Sequence, residues 1–119
     1  MNNATLSSRG GYYAIGDSVS LGAAPFIIDA LAGMNVTHSP GNADNTIIGS
    51  HCLATWLEGV TADVVSVNFG LHDIAYDTER ISVETYVSQL ENITDALLAW
   101  KPAATKLLWV STTPVPTVP

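Results

Sequence analysis

Short apolar runs alternate along the chain with longer segments of helical periodicity. The runs are rich in β-branched and aromatic residues and stop at glycine or polar loops, which is typical of strands. Strands are predicted at 12–15, 34–38, 63–69 and 106–111. Helices are predicted from Pro25 to about Leu31, where Pro25 suits a first helical position, and over 46–57.

The clearest helix is predicted from Ser82 to about Trp100. Ser82 suits the N-cap, and the Lys101-Pro102 pair ends the segment. The apolar residues between them recur at the 3.6-residue spacing of one helix face, which predicts that this face is buried. The face comprises Val83, Tyr86, Val87, Leu90, Ile93, Leu97 and Trp100.

Strands that alternate with helices, and that are apolar throughout, predict a parallel sheet covered on both faces. The fold class is therefore α/β, a doubly wound sheet of about four strands in three layers, with right-handed crossovers. In such sheets the reactive groups lie beyond the carboxyl ends of the strands. That rule indicates three loops, at 16–22, 39–45 and 70–77.

The composition and charge of the chain exclude several classes of protein and partner. The 119 residues suit one domain, at 1–119, and 47% apolar against 13% charged residues excludes a mainly disordered chain. A formal charge of −7 argues against nucleic acid and anionic membranes as partners, and no apolar run is long enough for membrane insertion. Cys52 is the only cysteine, so neither an internal disulfide nor a cysteine-based zinc site can form, and we interpret it as a buried apolar residue.

The first of the three loops carries a candidate nucleophile. Ser18 directly follows the first predicted strand and lies between Gly16 and Gly22, a position that exposes a hydroxyl. Two other interpretations stay open. Asp17 and Ser18 could only bond the local backbone of a tight turn, or the loop could bind an anion at a helix start.

Three stretches of the chain together resemble the SGNH (GDSL-type) hydrolases. Gly16-Asp17-Ser18-Val19 resembles the nucleophile block, 67–74 the block after the third strand, and 107–116 the fourth strand with its Thr-Pro turn. The resemblance covers nearly the whole chain and implies an α/β/α, flavodoxin-like fold. It also implies ester or acyl hydrolysis by a serine nucleophile, with no cofactor and no metal.

The resemblance assigns roles to individual residues. It makes Ser18 both the nucleophile and an oxyanion donor through its N–H, with Gly16 and Asp17 shaping the turn. Ala43 stands where a second backbone donor is expected, and His72, between Gly70 and Asp73, where the family has an asparagine donor. Asp73 or a backbone carbonyl would fix the tautomer of His72. His72 could instead be a plain loop histidine, with Asn68 as the donor.

The family's catalytic base, in an Asp-x-x-His motif, has no counterpart in this sequence. His38 and His51 are interpreted as structural or solvent-facing residues. A five-stranded domain of this type needs on the order of 150 residues, so we expect the chain to be a C-terminally truncated fragment with little activity alone. Its last strand would then be an open edge through which the chain could associate.

The leading hypothesis is therefore a serine esterase for a small-molecule ester or an acylated carbohydrate. A non-catalytic binding or interaction module on the same fold is the alternative. A weaker third possibility is a flavodoxin-like or receiver-like phosphate binder that uses the loop at 16–22.

Overall fold

A computed structural model describes residues 10–74 and 81–112. Four strands alternate with three helices, and all strand pairs are parallel. The order in the sheet is β2-β1-β3-β4, which confirms the predicted α/β class. The ends of two predicted segments, 75–77 and 113–116, lie outside the described residues. The elements are β1 (Gly11–Gly16), α1 (Ser18–Ala30), β2 (Asn35–His38), α2 (Thr46–Leu57), β3 (Val64–Asn68), α3 (Val83–Trp100) and β4 (Lys106–Trp109).

The hydrophobic core lies on one face of the sheet, under α2 and α3. Strand residues at alternate positions point into it because side chains alternate between the faces of a strand. Helix residues from α2 and α3 pack against them, and the best-buried members are Ile15, Val65, Val67, Phe69, Leu53, Ile93 and Leu97.

The opposite face carries α1, which contacts β1 and β2. The register places Ala14 beside His38 on one side and beside Ser66 on the other, so these three residues share that face. Helices on both faces make the sheet doubly wound, as predicted. The carboxyl ends of β1 and β3 lie side by side, with Gly16 paired to Asn68.

The first helix begins earlier than the sequence predicted. α1 starts at Ser18, and Pro25 lies inside it rather than at its first position, so that prediction was wrong. The Asp17 side chain accepts a hydrogen bond from Val19 N at 3.0 Å and caps the helix. This cap starts the helix directly after β1. Pro25 has no N–H to donate to the carbonyl of Leu21 one turn earlier, so α1 lacks one backbone hydrogen bond there.

The other two helices agree better with their predicted bounds. α2 spans the predicted residues, and Ser82 caps α3 by accepting a hydrogen bond from Thr85 N. The predicted face of α3 is buried in the carboxyl-terminal half of the helix. In the first half it is not, since Val83 and Val87 are 76% and 47% exposed. A 3.6-residue period shows which residues share a face, but a neighbouring element must still cover that face. β3 and β4 are each shorter than predicted.

The β4 side of the sheet carries exposed apolar residues. Within the described residues β4 pairs only with β3, and Leu108 and Trp109 are about half exposed. Association through this edge stays a prediction.

Cys52 is half-buried rather than buried. None of the described helices combines the length and apolarity needed to cross a membrane.

Candidate active site

Ser18 lies at the carboxyl end of β1, as the first residue of α1, and its side chain is exposed. Its N–H belongs to the first turn of the helix, where no intrahelical acceptor exists, and the positive end of the helix dipole lies there. Asp17 is 1% exposed and holds the turn through the cap to Val19. No described side chain hydrogen-bonds to Ser18 Oγ, so this part of the structure supplies no base for it.

Ala43 is fully buried, and its N–H donates to the Gly16 carbonyl at 2.9 Å. This bond ties the loop after β2 to the end of β1. The positive φ angles of the loop fall at Gly41 and Asp44, not at Ala43. An oxyanion could therefore use the Ala43 N–H only in competition with the Gly16 carbonyl.

His72 lies in the turn after β3, beside the loop that follows β2. Its Nδ1 is 3.3 Å from Asp44 Oδ1. This is an ion-pair distance without hydrogen-bond geometry, because Oδ1 makes no hydrogen bond to the described residues. Both side chains are partly exposed, so the attraction is modest. The pair brings an imidazole and a carboxylate together at the carboxyl edge of the sheet.

Asp73 is one of the two groups expected to fix the tautomer of His72, and its side-chain oxygens accept hydrogen bonds from Thr46. It is 1% exposed, and Oδ1 accepts from Thr46 Oγ1 at 2.6 Å and from Thr46 N at 3.0 Å. Asp44 is the carboxylate at ion-pair distance from the His72 ring, and Asp73 holds the start of α2. Burial raises the pKa of Asp73 above its ordinary value of 3.8, and the Thr46 bonds and the His72 charge partly oppose that rise.

Asn68 and Gly70 hold the backbone around the site. Asn68 Nδ2 donates to the carbonyls of Val110 and Ser111 at 3.0 and 3.2 Å, which occupies the amide that was the alternative oxyanion donor. Gly70 has φ +154°, and a Cβ there would lie 2.5 Å from Thr112 Cβ. Only glycine fits this close approach.

The structure also pairs two residues that the sequence did not connect. Ser20 Oγ lies 2.9 Å from His38 Nε2, and His38 Nδ1 lies 2.7 Å from the Ser39 carbonyl. Both side chains are half-buried.

His51, in contrast, is exposed, as interpreted from the sequence. The described residues contain no group of three His, Cys, Asp or Glu side chains that could hold a metal ion.

These features define an α/β protein with a doubly wound parallel sheet and a cluster of polar residues at the carboxyl edge. Neither a protein-family model nor a curated protein nor a solved structure matches the chain. The resemblance to the SGNH hydrolases thus stays a prediction that depends on the three sequence blocks and their places at strand ends.

Proposed function

We propose that this chain is an SGNH-type serine hydrolase domain that cleaves an ester or acyl group through an acyl-enzyme on Ser18. The observation that carries the proposal is the position of Ser18, an exposed hydroxyl at the carboxyl end of a central strand and at the start of a helix. A nucleophile needs that exposure, and the adjoining helix N–H groups suit a developing oxyanion.

In the proposed reaction, Ser18 Oγ attacks the ester carbonyl and its proton passes to a base. The bond to the leaving alcohol breaks, and water then hydrolyses the acyl-enzyme. The Ser18 N–H and an N–H of the His72 ring would stabilise the oxyanion, with Asp44 beside that ring. The base would come from outside the described residues, because none of the described side chains hydrogen-bonds to Ser18 Oγ.

The substrate class is a small-molecule ester or an acylated carbohydrate. The chemistry needs no cofactor and no metal. The predicted loop at 16–22 is a short turn at Gly16 and Asp17 followed by the first turn of α1. This turn and the loop at 39–45 adjoin the nucleophile and would decide which acyl group fits, because specificity resides in the loops of such folds.

The test combines a fluorophosphonate probe with turnover of a p-nitrophenyl ester. We expect the probe to attach at Ser18, and Ser18→Ala to lower turnover at least about a hundredfold. Ser88→Ala removes an exposed serine of α3 and serves as the matched control, with unchanged turnover. Undiminished turnover in Ser18→Ala would refute the assignment.

One observation favours a second candidate, a non-catalytic binding module. The Ala43 N–H is already used by Gly16, so one expected oxyanion donor is occupied. Losing such a donor costs about a hundredfold or more in rate. A binding module would leave Ser18 unlabelled by the probe and would still bind an acylated carbohydrate in a calorimetric titration, whereas labelling at Ser18 would argue against it.

A further inference from the structure

The contact between Ser20 and His38 joins the first turns of α1 to the end of β2. Ser20 Oγ lies 2.9 Å from Nε2 of the ring, which is hydrogen-bond distance. The pair lies on the α1 face of the sheet, because His38 pairs with Ala14 in the sheet and Ala14 lies on that face. The Ser20–His38 pair is thus separate from Ser18, because residues two positions apart on a helix point to different sides of it.

The other ring nitrogen determines the tautomer of His38. Nδ1 lies 2.7 Å from the Ser39 carbonyl, and a carbonyl oxygen can only accept a hydrogen bond. Nδ1 therefore carries the proton, and Nε2 of the neutral ring is the acceptor. Ser20 then donates its hydroxyl proton to Nε2, which is the arrangement of a serine with its general base.

Gly16 leaves the space that Ser20 needs. A Cβ at Gly16 would lie 2.5 Å from Ser20 Cβ and 2.8 Å from Ser20 Oγ. Because glycine has no side chain, α1 can bring Ser20 down onto β1, within reach of His38. Any larger residue at position 16 would push the serine away from the imidazole.

Ser20 also lines a small cavity between α1 and the sheet. The cavity has a volume of about 120 Å³. Val19, Ile27 and Val110 form part of its apolar wall, while Ser66 and Asn68 add polar atoms. This volume is well below the roughly 300–1,000 Å³ of sites for drug-sized ligands, and it suits a short acyl group.

We propose that Ser20 and His38 form a second nucleophilic site, at which Ser20 accepts a short acyl group from an activated ester. In this step Ser20 Oγ bonds to the acyl carbon and its proton passes to His38 Nε2. The ester C–O bond breaks, and the protonated ring returns the proton to the leaving alkoxide. The site goes beyond the proposed function, since it does not use Ser18.

The experiment treats the chain with p-nitrophenyl acetate and locates the acetyl group by fragment mass spectrometry. We expect acetylation of Ser20 in the unaltered chain. His38→Gln should slow it by about a hundredfold or more, the usual contribution of a general base. His51→Gln changes an exposed histidine and is the matched control, with an unchanged rate. Circular dichroism checks that each variant keeps its fold.

Mapping in the unaltered chain requires no variant to fold. Acetyl on Ser18 and none on Ser20 would overturn this inference and leave the proposed function intact. Acetyl on Ser20 alone, lost in His38→Gln, supports the inference and counts against Ser18 as the nucleophile. Equal rates in the unaltered chain and in His38→Gln, or no serine acetylation at all, would also overturn the inference.

Discussion

The bond between Thr46 and Asp73 joins the loop after β3 to the start of α2, and its removal makes a quantitative test. Thr46→Val keeps the shape of the side chain and removes the hydroxyl. That hydroxyl donates to Asp73 Oδ1 at 2.6 Å, and both residues are at most 1% exposed. Water cannot replace the lost donor there, so among the described residues the buried carboxylate keeps the bonds from Thr46 N and from its own backbone N–H.

The expected loss follows from the charge of the acceptor. Hydrogen bonds to charged groups contribute about 1.5–3 kcal/mol, and the buried geometry favours a value of about 2 kcal/mol at neutral pH. For a chain of this length that is a decrease in Tm of about 8 °C. Thr46→Ser keeps the hydroxyl and loses one methyl group, at a cost of about 0.8 kcal/mol.

The pH dependence separates the two variants. Burial raises the pKa of Asp73 in the folded chain above its ordinary 3.8. The contribution of the Asp73 carboxyl to the free energy of unfolding is therefore fully present below about pH 3.8, the ordinary pKa. It is lost as the pH rises through the raised pKa of the folded chain. Thr46→Val removes a bond that favours the carboxylate, so the pKa rises further and the deprotonated state costs more.

The assay is urea unfolding at about pH 3 and about pH 7. The loss in Thr46→Val should be small at the lower pH and largest at the higher one, whereas the loss in Thr46→Ser should not depend on pH. Equal losses in Thr46→Val at both values would refute the reasoning. So would a loss at neutral pH smaller than that of Thr46→Ser.

Three further predictions concern α1 and α2. Gly22→Ala should stabilise the chain by about 0.5–1 kcal/mol, because a Cβ there has nothing within 4 Å. Gly49→Ala should destabilise it by about 1–3 kcal/mol, because a Cβ would lie 2.5 Å from Phe69 Cζ. Urea unfolding measures both, and changes of the same sign would contradict the packing argument. Asp17→Ala should cost about 1 kcal/mol by removing the cap on Val19. Asp17→Asn keeps an oxygen acceptor and should lose little, so equal losses by thermal unfolding would count against the cap.

The layers of the fold could be predicted because they depend on local patterns. The apolar run before Asn68 indicates a central strand, and the spacing after Ser82 indicates a long helix with its N-cap. The start of α1 was predicted wrongly because two residues can begin a helix here, Pro25 as a first helical residue and Asp17 as an N-cap. The sequence alone does not show which of the two is used. The capping bond to Val19 decides it in favour of Asp17.

The candidate site was harder to predict, because its hydrogen bonds join residues far apart in the chain. Loop composition correctly indicated where Ala43 and His72 lie. It could not show that the Ala43 N–H would donate to the Gly16 carbonyl, or that the carboxylate of Asp44 would lie at ion-pair distance from His72. Such partners depend on how two loops meet at the sheet edge, which no local pattern records.

The pairing of His38 with Ser20 could be derived once the strand order is known. Burial alternates along β2, with Asn35 and Thr37 exposed and His38 half-buried on the side that α1 covers. β2 lies beside β1, and α1 follows β1 after one residue, so its first turns pass close to the end of β2. Residues two apart on a helix lie on different sides, so the turn that brings Ser20 to the imidazole directs Ser18 elsewhere. A base for Ser18 must therefore approach from a different direction than His38.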